Sequence, residues 1–140
     1  MSASPSHLPT YSDSQWPLFV ATMPSTALSL VAFEAHLQML REPYRRGQPF
    51  VQMIVMGDQP PLPAAHRRAA AEAMKLDSQR YPGLLRAKAI VAKSHLERGV
   101  VTAVRWIARP DYPFEYFETE PEAKTWLLRY LERARARAPS

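Results

Sequence analysis

Two hydrophobic rhythms alternate along this chain. Residues 49–56 form an almost continuous apolar run of strand length, interrupted only by Gln52. Such runs belong to strands covered on both faces, at the centre of a parallel sheet. Residues 88–93, from Lys88 to Lys93, read as a second buried strand. Residues 112–117 read as a third, with Tyr112, Phe114 and Tyr116 on one face and Phe117 on the other.

Helical patterns fill the gaps. After Thr26, the positions Leu30, Phe33, Leu37, Leu40 and Tyr44 recur at three- and four-residue steps, one stripe of an α-helix that Pro43 and Gly47 close. Pro63 opens an alanine-rich helix with a weak stripe at Ala65, Ala69, Ala73 and Leu76, broken by Tyr81, Pro82 and Gly83. Ser94 and Glu97 have capping-box spacing before a helical run ending near Arg109. Thr119, Glu120, Pro121 and Glu122 begin a last helix with Ala123, Trp126, Leu127 and Tyr130 along one stripe. At the start of the chain, residues 8–11 and 16–23 are strand candidates flanking turn chemistry at 12–15, a hairpin in which Pro17 leaves the ladder incomplete.

The order is β-β-α-β-α-β-α-β-α. Alternation of strands and helices predicts an α/β fold: a mostly parallel sheet of four to five strands with an N-terminal hairpin and four helices. Residues 1–7 read as a disordered lead-in and residues 8–138 as a single domain, without repeats or low-complexity tracts.

Composition narrows the chemistry. The 140 residues are 46% hydrophobic and 22% charged, ordinary values for a globular chain. The absence of cysteine removes disulfides, thiolate metal sites and cysteine nucleophiles, and fits a reducing, cytoplasmic setting. No stretch approaches the roughly 18 apolar residues of a spanning helix, and the first residues lack the pattern of a signal peptide. Much of the net charge of +5 sits at the C-terminal end, on Arg129, Arg133, Arg135 and Arg137. Stacking aromatics are not interleaved there, so the pattern is that of a solvated helix end and not of a nucleic-acid surface.

Candidate sites are few. The histidines (His7, His36, His66, His95) include no pair at zinc-binding helical spacing, and the four glycines form no phosphate-binding loop. No metal or cofactor is expected. Beyond the strand ends, Asp58 is a candidate for contacting a partner and Ser94 for orienting an anion at a helix start. Arg67, Arg68 and Arg98 are placed to rim the same region.

This element order carries the run from Arg98 through Gly99, Val104 and Arg105 to Trp106, the aromatic strand ending at Phe117, and Glu122-Ala123-x-x-Trp126-Leu127. It resembles the STAS-like families, relatives of the bacterial anti-sigma-factor antagonists, over residues 8–136. The resemblance implies a small regulatory or interaction module and not an enzyme. In the antagonists a phosphorylatable Ser or Thr directly follows the strand-ending Asp. Here Asp58 is followed by Gln59, Pro60 and Pro61, with no hydroxyl until Ser78. The chain is thus more similar to uncharacterised relatives that lack the serine.

Two functions are therefore expected. The first is docking to a protein partner through the loop and helix after Asp58 (with Arg67) and the helix start at Ser94 and Arg98. The alternative is a small-molecule or lipid-binding domain, its apolar pocket lined by Met53, Met56, Trp106 and the aromatic strand. Self-association through an edge strand stays open.

Overall fold

The computed structural model describes residues 8–57, 62–93 and 95–137, the side chains of 95–98, 100, 101 and 134–137 excepted. Five strands form one sheet in sequential order: β1 (Thr10–Gln15), β2 (Leu18–Thr22), β3 (Phe50–Val55), β4 (Leu85–Val91) and β5 (Phe114–Phe117). β1 pairs antiparallel with β2, and every later pair is parallel. The helices are α1 (Leu30–Arg41), α2 (Ala64–Arg80), α3 (His95–Ala108) and α4 (Glu120–Arg137), with a 3-10 turn at Glu42–Arg46 after α1. The expected α/β order and hairpin are thus present.

Several boundaries differ from the sequence pattern, each for a local reason. β1 runs through Ser12–Gln15, and the hairpin turns at Trp16 and Pro17, whose peptide bond is cis. α1 begins at Leu30, not near Thr26, because the Ser29 hydroxyl accepts a hydrogen bond from the Ala32 amide and fixes the N-cap there. The α2 stripe rotates: His66, Ala71, Met74 and Asp77 are buried while Leu76 is exposed. β4 begins at Leu85 and ends at Val91, which moves Lys88 from the expected first position to the middle of the strand.

Successive parallel strands added in one direction, with crossovers of one hand, place every crossover helix on the same face. One layer accordingly packs α1, α2 and α3 over Phe19, Ala21, Phe50, Ile54, Ile90 and Phe114. The opposite face holds Leu18, Val51, Met53, Ala87, Ala89 and Val91 beneath Ala123, Leu127 and Leu131 of α4. At the start of α4 the Thr119 hydroxyl donates to the Glu122 carboxylate at 2.8 Å.

The parallel register aligns Phe19, Gln52, Lys88 and Phe114 as one cross-strand row. Period-two alternation points this row at the α1–α2–α3 layer. A lysine and a glutamine thereby enter an otherwise apolar core. The strand order has no reversal, so the crevice that a topological switch point creates in doubly wound sheets is absent among the described strands.

Candidate functional site

Between the sheet and the three crossover helices lies a cavity of about 90 Å³. Phe33 and Leu40 of α1, Met74 of α2, Val104 of α3, and Ile90 and Phe114 of the sheet form much of its wall. Two polar side chains complete it, Lys88 and His36.

Lys88 reaches the cavity because β4 is a central strand whose alternate residues face the helices. It is 6% exposed, and its ammonium forms no ion pair with a carboxylate among the described residues. The Phe114 ring lies beneath it, its centroid 5.7 Å from Nζ. Burial pushes the Lys88 pKa down to about 8, with the Asp77 carboxylate pulling weakly the other way.

His36, on α1, is 4% exposed. Its Nδ1 lies 2.8 Å from the Tyr11 hydroxyl, and its ring packs against Tyr11 and Phe33. Burial, reinforced by the Lys88 charge, pushes the His36 pKa down to about 4, so the imidazole is neutral at ordinary pH. The same burial raises the Tyr11 hydroxyl to about 12.

A second space, about 20 Å³, adjoins the first and shares Lys88, Leu37, Leu40 and Met74 with it. Gln52, Asp77, Tyr44 and Tyr112 line it. That volume is enough for one water molecule among polar partners. Asp77 belongs to an ion pair, its Oδ1 2.6 Å from Arg41 Nε. Burial raises the Asp77 pKa despite that pairing. Tyr44 and Tyr112 are also held protonated by burial, well above the usual phenol range.

The residues expected from the sequence fare differently. Asp58 and Ser94 lie outside the described residues, as does the Arg98 side chain. Arg67 is half-buried at the start of α2 and donates to the Leu62 carbonyl at 2.8 Å, while Arg68 is exposed. Of the expected pocket residues, Met56 and Phe114 line the cavity. Met53 faces the opposite layer, because alternation in β3 turns it towards α4. Trp106 is 72% exposed and is not part of the cavity wall.

Lys88, His36 and Asp77 were the residues the sequence pattern did not single out. For Lys88 a signal existed: Leu84 and Leu85 precede it, so the apolar strand extends to both sides of the lysine. For His36 one existed too, since it stands three residues after Phe33 and four before Leu40 on the apolar face of α1, whereas no such signal marks Asp77. Among the described residues no group of three or more acidic or imidazole side chains gathers for a metal, and no helix is long and apolar enough to cross a membrane.

No family model matches the chain, and no curated protein does. Among solved structures, an uncharacterised protein of the DUF3478 family from Shewanella loihica PV-4, described as having a SpoIIAA-like fold, is similar at TM-score 0.56 and 19% identity. The match covers 91% of this chain and 99% of that one. The fold is therefore SpoIIAA-like, as the STAS-like resemblance of the sequence led one to expect.

Proposed function

We propose that this chain is a binding domain for a small, mainly apolar molecule. The ligand sits between the sheet and the α1–α2–α3 layer, with its polar end at Lys88. The observation that carries this reading is a buried lysine ammonium without an ion-pair partner among the described residues, facing a preformed apolar cavity.

A lysine in such a place is costly to the fold. The depression from 10.5 to about 8 corresponds to about 3 kcal/mol of net charge burial, which the Asp77 carboxylate offsets only in part. A core position that needed only packing would be better filled by methionine or leucine. A preformed cavity with few convergent polar groups is the usual construction of a small-molecule site. The volume is small beside the roughly 150 Å³ of an engineered cavity that admits benzene, so the ligand is short.

Protein docking at the α2 start, the other expectation from the sequence, has less support. Of its arginines, Arg67 has its guanidinium engaged with a backbone carbonyl and Arg68 is exposed. The test is an NMR titration of isotope-labelled protein with 1-butanol. Saturable shifts confined to Ile90, Val104 and Phe114, lost in Ala70→Phe where a ring fills the cavity, are expected. Shifts scattered over the surface, or unchanged in the filled variant, would overturn the cavity reading and return attention to docking.

A further inference from the structure

The charges around Lys88 define which small molecule fits, an inference that rests on the cavity reading above. Around the Lys88 side chain, α1 contributes neutral His36, α2 contributes Asp77, and β3 contributes Gln52. Tyr44 and Tyr112 approach from the 3-10 turn and from the segment before β5. Asp77 is already paired with Arg41 at 2.6 Å, so the two together carry no net charge. The phenols are neutral. Among the described residues, one positive charge thus stands without an ion-pair partner at the boundary of the apolar cavity.

We propose that the ligand supplies the missing anion: a short-chain aliphatic monocarboxylate, its carboxylate paired with Lys88 and its alkyl tail among Phe33, Leu40, Ile90, Val104 and Phe114. A monoanion suits this site because one ammonium is available and neither an arginine fork nor a helix N-terminus among the described residues joins it. A phosphate dianion would bring a second charge into the core without a counterion, at a large desolvation cost. The apolar wall takes an alkyl tail, and about 90 Å³ limits that tail to a few carbons.

The experiment compares sodium butyrate, 1-butanol and n-butylamine by calorimetry and thermal shift, on the wild type and on Lys88→Met. Butyrate is expected to bind the wild type at least tenfold more tightly than 1-butanol, and n-butylamine not at all. Butyrate affinity should be flat from pH 6 to 8, then fall roughly tenfold per pH unit as Lys88 loses its proton. Lys88→Met should retain 1-butanol, which shows that the cavity is intact, and lose the preference for butyrate. Butyrate binding no tighter than butanol, or a butyrate preference that survives in Lys88→Met, would overturn the carboxylate assignment while leaving the cavity reading standing. If neither probe binds the wild type, both readings fall. The wild-type pH profile keeps the proposal falsifiable even where the variant fails to fold.

Discussion

Lys88 and His36 set the behaviour of the site one proton at a time. Each is buried in the form that suits an apolar core least when charged, so each makes stability depend on pH. For Lys88 the folded pKa lies below the unfolded value, and the unfolded chain binds more protons between about pH 8 and 10.5. Stability attributable to this residue therefore rises with pH across that window. Lys88→Met should stabilise the protein by ~2 kcal/mol at pH 7, measured by urea denaturation, and the gain should shrink towards pH 10. A destabilised Lys88→Met would mean that the lysine supports the fold. His36 works in the acid range, where the unfolded chain takes up a proton below pH 6.5 that the folded one resists down to about 4. About 3 kcal/mol should be lost on acidification from pH 6.5 to 4, and a His36→Gln variant should show a flatter profile over that range.

At the level of the elements, α1 and α2 are held in register by the Arg41–Asp77 pair as much as by apolar contact. Arg41 is the last residue of α1 and Asp77 lies in the last turn of α2, with only 8% of its side chain exposed. Removing the guanidinium leaves a carboxylate buried without its partner, so Arg41→Ala should cost ~3 kcal/mol by chemical denaturation. Asp77→Asn should cost less, since burial works against the ionised carboxylate that it removes. These elements also show what a one-dimensional pattern conveys. The α1 stripe was legible at Phe33 and Leu40, which are large and buried, but Leu30 is exposed and Tyr44, though buried, belongs to the 3-10 turn after the helix. The α2 stripe was misread because alanine fits either side of a helix. The true inner face follows from His66, Met74 and Asp77, two of which are polar residues that pattern reading assigns to solvent.

On the scale of the whole molecule, the sheet separates two cores of different character. On the α4 face Val51, Ala87, Ala89, Ala123 and Leu127 are all at 0% exposure. The α1–α2–α3 face holds the cavity, the buried lysine and the ion pair. Substitutions should divide accordingly. Leu127→Ala opens a void in the tight layer and should cost ~3 kcal/mol or more, read by urea denaturation, without altering the affinity for 1-butanol. Met74→Ala enlarges an existing cavity and should shift ligand preference to longer chains. Gly57 fixes the junction beside the cavity: a Cβ there would stand 3.1 Å from the Pro24 carbonyl oxygen, so Gly57→Ala forces β3 away from the chain after β2.

The order of elements and the pairing of a hairpin with parallel strands follow from the sequence alone, because hydrophobic period reports local conformation and short connections leave few ways to assemble it. So does the division of β5 into two faces, since alternation is a local property. The cavity and its chemistry are decided only in three dimensions. Lys88 and Gln52 sit together because of strand register, His36 and Asp77 join them because two helices pack over that register, and Arg41 neutralises one of the charges and not the other. Only His36 and Arg41 share an element, five positions apart on α1, and spacing does not announce a site spread over two strands and two helices. Charge burial is a property of the environment that distant segments build around a side chain, and no single segment carries it.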